Sequence, residues 1–324
     1  MYFKGKRILI TGGTGSFGQL AVERLLDSDP LEVRIFSRGE KKQYEMKQRL
    51  ADPRATYVLG DIRDLEAMRA ALRGIEVVFH AAALKYVPYC EFNVYETILT
   101  NVIGSANLMR ACKEARVGVV VALSTDKAVM PVNAYGMSKA LMERLFINAN
   151  IDLGGFPTRF VSVRYGNVIG SSGSVIPFFQ SQIENGGPVT VTDTQMTRFW
   201  FTLSEAVNLA FNAAAIGKGG EVFVKRIPAA RLTDLAEVLI GARNIEVQSI
   251  GIRPGEKLHE LLVSENEALR AVEMYDGYVI LPQIPLGLES FYGKPGGQVG
   301  AYSSQDVLMD KVELVALLDR AGWL

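Results

Sequence analysis

Histidine, cysteine and tryptophan each occur only twice in 324 residues. Cys90 and Cys112 form no Cys-x-x-Cys pair and are too few to staple a secreted fold, so they read as free thiols in a reducing compartment. His80 and His259 stand alone, without metal-ligand spacing; they read as structural, and no metal site is expected. No apolar run approaches the ~20 residues a membrane helix needs. The chain leads from Met1 into a strand without a hydrophobic signal region. A soluble, cytoplasmic protein is the expectation. Net charge is missing too: 35 basic residues balance 35 acidic ones, which leaves no global field for nucleic acid or an acidic membrane. Internal repeats and low-complexity stretches are also lacking. The length is ample for a large core, burying roughly three quarters of the unfolded surface.

What is present is a regular alternation of short β-branched runs and helical periodicities. Arg7–Ile10 reads as a buried strand, followed by Gly12-x-x-Gly15-x-x-Gly18 and then by helical spacing through Leu20, Val22, Leu25 and Leu26. Strand, glycine pattern and helix in that order point to a dinucleotide site. Glycines let the backbone approach a pyrophosphate, and the helix N-terminus favours its charge. Gly12, Thr14, Gly15, Ser16, Phe17 and Gly18 are therefore candidate cofactor contacts; a tight turn without a ligand is the bland alternative. The second strand, Val33–Phe36, ends in Ser37-Arg38 with Lys42 beyond. An acidic residue there suits the ribose of NAD, whereas serine and arginine suit the 2′-phosphate of NADP. NADP is the expected cofactor; a solvated, basic helix start is the alternative. Thr56–Asp61 reads as a third strand whose end, Asp61-Ile62, is placed to meet the adenine. Val77–Ala83 reads as a fourth, and its small residues, Ala81 and Ala83 among them, leave room for the cofactor. Helical periodicity covers about 93–115.

Residues 124–139 form the centre. Val117–Leu123 suits a buried parallel strand, Ala140–Phe146 a helix, and Ser124–Lys139 joins them. Thr125, Asp126 and Lys127 thus sit at the carboxyl end of a central strand, where open α/β sheets place their chemistry. Tyr135 and Lys139 are four apart and share a helix face. An ammonium beside a phenol lowers the phenol pKa from its usual value near ~10. A sixth strand, Arg159–Tyr165, ends at Gly166-Asn167-Val168. The alternation then stops: Gly170–Ser174 reads as a flexible connection, Val175–Glu184 as a helix, Val189–Thr192 as a strand, 204–216 as a helix and Glu221–Val224 as a strand. Leu232–Leu239 is helical, and Arg253–Glu260 is expected to open another helix. A Gly/Pro-rich loop over 283–300 precedes a last helix near Asp310–Ala321. The fold class is therefore α/β: a doubly wound parallel sheet of the Rossmann type with a smaller, mixed α/β substrate-binding lid. The expected division is 1–166 for the cofactor, with 199–226 rejoining its sheet. Residues 167–198 and 227–290 form the lid, and 291–324 the tail.

With Thr11–Gly18, Thr125, Tyr135 and Lys139 the chain resembles the extended short-chain dehydrogenases/reductases. Five further stretches narrow the likeness: Leu84–Pro88, Ser124–Val129, Arg164–Val168, Thr197–Trp200 and Arg253–Glu260. Together they resemble the inverting UDP-N-acetylglucosamine 4,6-dehydratases, the short branch of the polysaccharide-biosynthesis dehydratases, from about Lys6 to Pro282. Only ten residues separate Thr125 from Tyr135, as in that branch. Tyr135 stands where the membrane-anchored, retaining relatives typically have methionine. Val94, where many relatives have proline, and Tyr89-Cys90 depart from the pattern.

The resemblance implies a redox-neutral dehydration of a UDP-sugar in the biosynthesis of pseudaminic acid or a related 6-deoxy amino sugar. Tyr135 would remove the 4-hydroxyl proton as hydride leaves C4 for NADP⁺. Lys139 would hold the tyrosine and the nicotinamide ribose, and Thr125 would bond the reacting oxygen. By likeness to the glucose dehydratases, Asp126 is the acid and Lys127 the base of the elimination. The carboxyl would be raised by burial, and the amine lowered by burial and neighbouring cations. A solvated ion pair is the alternative, since both side chains reach one pocket only if the backbone leaves strand geometry at Thr125. Lys85 and Asn167 are candidate sugar or phosphate contacts; otherwise they are a surface lysine and a turn residue. Arg198 and Arg253 suit a diphosphate. Glu256 suits the uridine ribose or simply a helix start. Val168 is a further candidate cofactor contact. A homo-oligomer is implied. The rival readings are a UDP-sugar 4-epimerase, which needs no Asp-Lys pair, and a non-catalytic NADP-binding protein.

Overall fold

The computed structural model describes residues 2–151, 155–170, 174–274, 276–296 and 299–324. Its first half alternates strictly: β1 (Arg7–Thr11), α1 (Ser16–Leu26), β2 (Glu32–Ser37), α2 (Glu40–Leu50), β3 (Ala55–Leu59), α3 (Leu65–Ala71) and β4 (Val77–His80). Then come α4 (Val87–Phe92), α5 (Val94–Thr97), a π-helical segment (Ile98–Ile103), α6 (Gly104–Glu114), β5 (Val119–Leu123), α7 (Ala134–Ala149) and β6 (Arg159–Arg164). Short, continuous apolar strands such as β5, buried at every position, need both sheet faces covered, and the intervening helices cover them. Two apolar clusters result, one around Ile8, Ile10, Phe79 and Val121, the other around Leu9, Val78, Val120 and Phe160. Successive residues of a strand point to opposite faces, so each strand feeds both clusters.

The second half is β7 (Asn167–Val168), α8 (Val175–Glu184), β8 (Val189–Val191), β9 (Thr197–Phe201), α9 (Leu203–Ile216), β10 (Val222–Lys225), β11 (Ala229–Arg231) and α10 (Leu232–Ile240). It continues with β12 (Val247–Ser249), β13 (Leu261–Val263), α11 (Glu265–Ala268), β14 (Ala271–Met274), β15 (Gly277–Ile280), α12 (Glu289–Tyr292), β16 (Tyr302–Ser303) and α13 (Lys311–Arg320). Among the described residues the main sheet has nine strands in the order β14-β15-β10-β6-β5-β4-β1-β2-β3. The sheet is parallel from β10 to β3, and β15 and β14 add an antiparallel edge. The α/β, doubly wound fold class read from the sequence is the observed one.

Three local expectations need correction. Residues 253–260 open no helix: Glu256 N–H donates to the Arg253 carbonyl at 3.1 Å, closing a turn around Pro254-Gly255, and β13 follows. Of the segment 199–226, β10 joins the main sheet, whereas β9 pairs with β7 and β11 in a separate three-stranded sheet. Ala271–Met274 and Gly277–Ile280, assigned to the lid, extend the main sheet as β14 and β15. The connection expected over Gly170–Ser174 falls largely on residues 171–173, outside the described ones. A third apolar cluster, with Ile176, Phe179, Trp200, Leu235, Leu239, Leu314 and Leu318, unites α8, β9, α10 and α13. It gives the smaller, mixed part its own core.

Candidate active site

A cleft of about 830 Å³ runs along the carboxyl ends of the parallel strands. Its first half is the loop between β1 and α1. Gly12 has φ of +68°, and a Cβ there would lie 2.8 Å from the Ala82 nitrogen, so only glycine fits. Gly15, the N-cap of α1, offers no side-chain acceptor, and the first turn has no acidic residue. The free N–H groups of that turn thus face the cleft as an anion site. Gly12, Thr14, Gly15, Ser16, Phe17 and Gly18 all line it, with Ser37, Arg38, Lys42, Asp61, Ile62, Ala81, Ala83 and Val168. Asp61 spends its carboxylate on Arg63 (2.7 Å to Nη2) and on Arg38 (3.6 Å). No carboxylate ends β2, and the exposed Arg38 and Lys42 make that corner basic. The residues present fit a dinucleotide.

The other half is built where β5 meets α7. Thr125 stays extended, and Asp126–Ala128 then winds into one 3₁₀ turn, capped by Thr125 Oγ1, which accepts from the Lys127 N–H at 3.3 Å. The backbone thus leaves strand geometry at Thr125, the condition for Lys127 to reach the cleft. Gly136 lets α7 pack onto this turn: a Cβ there would meet the Lys127 carbonyl oxygen at 2.1 Å. Thr125, Lys127, Tyr135 and Lys139 consequently line one wall, with Lys85, Asn167 and Tyr165 around them. Asp126 does not reach that wall. It is fully buried behind it, with Oδ1 accepting from Thr125 Oγ1 (2.9 Å) and Lys127 Nζ (3.0 Å). Its Oδ2 has no hydrogen-bond partner.

The charges differ from the sequence expectation at two groups. Burial raises the Tyr135 phenol to about 12, and the Lys127 charge and the Thr125 hydrogen bond only partly offset it. Lys139, buried at that wall, has its own amine lowered to about 8 by burial against the opposing pull of Glu143. The expected lowering of Tyr135 by Lys139 is therefore not found: burial dominates. For Lys127, burial and Arg198 favour the neutral amine, but Asp126 and Glu260 outweigh them and hold it charged beyond the ordinary lysine range. The expected lowering of this amine is thus reversed.

Arg198, Arg253 and Glu256 do not line the cleft. Arg198 is buried and donates to the carbonyls of Thr197 (2.7 Å) and Leu258 (3.2 Å). Arg253 and Glu256 belong to the exposed turn that replaces the expected helix. Sequence reading missed Glu260, whose Oε1 lies 3.4 Å from Lys127 Nζ. It also missed Asn101 in the π-helical segment, which brackets Leu84 (2.8 and 2.9 Å) and bonds Ser138 Oγ (2.9 Å). The π-helical turn is the signal for Asn101, since such turns cluster at functional sites, but it is invisible in the spacing of residues 93–115. His80 bonds Thr11 and Ser105, and burial lowers it to about 3, a structural role. Among the described residues no group of three or more His, Cys, Asp or Glu could hold a metal. No helix of the described residues is long and apolar enough to cross a membrane.

Residues 8–282 match the family described as polysaccharide biosynthesis protein. The chain belongs to that family. Among curated relatives of this family member, the inverting UDP-N-acetylglucosamine 4,6-dehydratase of Campylobacter jejuni is 45% identical over 284 residues, covering 87% of this chain and 84% of the relative. A Rickettsia canadensis protein named UDP-glucose 4-epimerase is also 45% identical, over 86% of this chain and 83% of its own. The X-ray structure of Pen from Bacillus thuringiensis superposes with a TM-score of 0.94 at 38% identity, covering 100% of both chains. The resemblance drawn from the five motifs agrees with the family and with the dehydratase relative.

Proposed function

We propose that this family member is an NADP-dependent, C5-inverting 4,6-dehydratase of a UDP-N-acetylhexosamine, UDP-N-acetylglucosamine being the substrate to try first. The observation that carries the reading is the wall where Tyr135, Thr125 and Lys127 line the cleft opposite the nucleotide loop. The Campylobacter jejuni relative, by its name, performs this reaction. A nicotinamide bound in the cleft would supply a reversible hydride acceptor for the exchange between C4 and C6, held by the β1–α1 loop residues and Lys139. Arg38, Ser37 and Lys42 would hold the 2′-phosphate, which favours NADP.

Tyr135 takes the 4-hydroxyl proton as a phenolate, its own proton having passed to solvent, a loss that the positive charge of a bound oxidised nicotinamide would favour against burial; Thr125 bonds the same oxygen and Lys139 supports the ribose. The 4-ketone then acidifies C5–H. Asp126 and Lys127 start as an ion pair at 3.0 Å. Transfer of one proton along that bond turns ammonium and carboxylate into amine and carboxylic acid, the base and acid an elimination needs. The amine takes the C5 proton, the acid protonates the departing 6-hydroxyl, and the ion pair is restored as water leaves; once hydride is on C6, a proton from solvent adds to C5 on the opposite face and inverts it, and Tyr135 gives the 4-hydroxyl proton back to solvent. Because Asp126 lies behind Lys127, its proton reaches C6 only if the 3₁₀ turn shifts or a water relays it. Lys85 and Asn167, which line the cleft, would contact the sugar or its diphosphate. Arg253 and Glu256 would join them only by an inward swing of the exposed turn, and Arg198 only by leaving its carbonyl partners on and beside β9. The apolar surface shared by α4, α5 and α7, with Phe92 89% and Tyr95 71% exposed, supports assembly into a homo-oligomer. A cytoplasmic location fits the two free, buried thiols.

The test is UDP-N-acetylglucosamine in D₂O without added reductant, read by mass spectrometry and NMR. Dehydrated product carrying deuterium at an inverted C5 is expected. The second reading, a UDP-sugar 4-epimerase, is favoured by the name of the Rickettsia relative. It yields a product of unchanged mass.

A further inference from the structure

Lys127 Nζ has three oxygen partners: Asp126 Oδ1 at 3.0 Å, Asn167 Oδ1 at 3.3 Å and Glu260 Oε1 at 3.4 Å. The first two come from the neighbouring strand ends of the main sheet and β7. Glu260 comes from the other side of the cleft wall, at the entry to β13. It is 2% exposed, and its Oε2 lacks a hydrogen-bond partner, lying 3.6 Å from Lys257 Nζ. Its place is fixed from two directions. The Glu260 N–H donates to Ser304 Oγ at 2.9 Å, and Ser304 Oγ shares a 2.6 Å bond with Thr197 Oγ1. Lys257 Nζ meanwhile donates to the Val129 carbonyl at 2.5 Å, tying the 257–260 segment to the loop that carries Lys127.

A buried carboxylate so anchored is costly to keep unless its partner needs it. Here the partner is the one lysine at the end of β5 that lines the cleft. We propose that Glu260 is a positioning residue for Lys127: its carboxylate holds the ammonium at the cleft wall and keeps it charged until substrate arrives. The claim builds on the dehydratase reading for what Lys127 then does, although the Glu260–Lys127 contact itself does not depend on it. The other charged or titratable groups facing Lys127 are Asp126 on its own turn, Arg198 from β9, Lys257 from the segment before β13 and Tyr135 from α7. Two carboxylates therefore oppose two cations around it, and removing Glu260 tips that balance toward the neutral amine.

The test uses Glu260→Gln, which keeps the shape and one oxygen and removes the charge. Acetylation of Lys127 by a small acylating reagent, followed by peptide mass spectrometry at fixed pH, reports the fraction of free amine. Loss of one opposite charge at this distance shifts an ionisation by about one unit or more, so Lys127 should react at least about tenfold faster in the variant. Glu260→Asp, which keeps the charge but retracts it, should give a smaller increase and guards against misfolding of the first variant. In the D₂O assay Glu260→Gln should lower kcat for C5 exchange, because the amine, although more often neutral, is no longer held at the cleft wall beside Asp126, while KM for the UDP-sugar stays near its wild-type value. Unchanged Lys127 reactivity in both variants overturns the proposal. If wild-type protein fails to dehydrate UDP-N-acetylglucosamine while the reactivity shift appears, the dehydratase reading falls and the positioning claim stands.

Discussion

Arg164 is a charge buried where β6 meets α7 and β13. The side chain is 2% exposed, and five bonds hold its guanidinium. They are Nε to Glu143 Oε1 (3.1 Å), Nη2 to Glu143 Oε2 (2.6 Å) and to Glu267 Oε1 (3.0 Å), and Nη1 to Glu267 Oε2 (3.1 Å) and the Leu262 carbonyl (2.9 Å). It thus ties β6 to the helix that carries Tyr135 and to β13 and α11. Replacing it by methionine fills similar space but strands two buried carboxylates. Burial works to raise Glu267, yet Arg164 and Ser264 bring it from its ordinary 4.5 to about 2, which corresponds to about 3 kcal/mol. Breaking a buried pair costs about 3–5 kcal/mol on general grounds, in agreement. For a chain of this size that is a fall in Tm of about 5 °C or more. The pH dependence has a definite sign. A depressed carboxylate contributes stability that is complete above about 4.5 and is lost as pH falls toward about 2. Urea unfolding of wild type and Arg164→Met should therefore differ by about 3 kcal/mol at pH 7, and the gap should shrink below pH of about 4.5. A gap under about 1 kcal/mol at neutral pH would refute the reasoning, because it would mean the triad is no better than a surface pair.

Three further outcomes follow from the cleft. Tyr135→Phe should cut turnover by about 10²–10⁴-fold while nucleotide titration stays near wild type; equal turnover would remove the phenol from the chemistry. Arg38→Ala should weaken NADP⁺ by about ten- to a hundredfold, the loss of one charge-assisted bond, and leave NAD⁺ nearly unaffected. Calorimetric titration of both nucleotides decides it, and equal losses would deny Arg38 a 2′-phosphate. Gly12→Ala places a methyl 2.8 Å from the Ala82 nitrogen at positive φ, costing about 1–2 kcal/mol for the backbone alone; it should lower both Tm and nucleotide affinity, and a neutral result would discredit the close approach.

Much of this was legible in the residues themselves because the signals were local. The β-branched runs of β1, β2, β5 and β6 could only be buried strands, and the helix at Val175–Glu184 shows the same bounds in sequence and structure. The glycine loop, Ser37-Arg38 and the Thr125–Lys139 stretch came to one cleft because the carboxyl ends of neighbouring parallel strands lie side by side. What escaped depends on distant partners. The pairing of β15 with β10 joins residues 277–280 to 222–225, and nothing in either segment announces the other. Arg253–Glu260 has helical spacing, but Pro254-Gly255 and the anchoring of Lys257 to Val129 favour a turn instead. The charge of Lys127 was misjudged for the same reason. Its neighbour Asp126, the larger pull, is visible in sequence, whereas Glu260, which adds to it against burial, arrives from 133 positions away.

The most direct measurement follows one hydrogen. UDP-N-acetylglucosamine carrying deuterium at C4 is turned over in ordinary water, and the product is read by NMR. The account predicts that the label reappears at C6 of a dehydrated sugar, carried there by the nucleotide held between the β1 loop and Tyr135. Label found at C4 of a product of unchanged mass would contradict it.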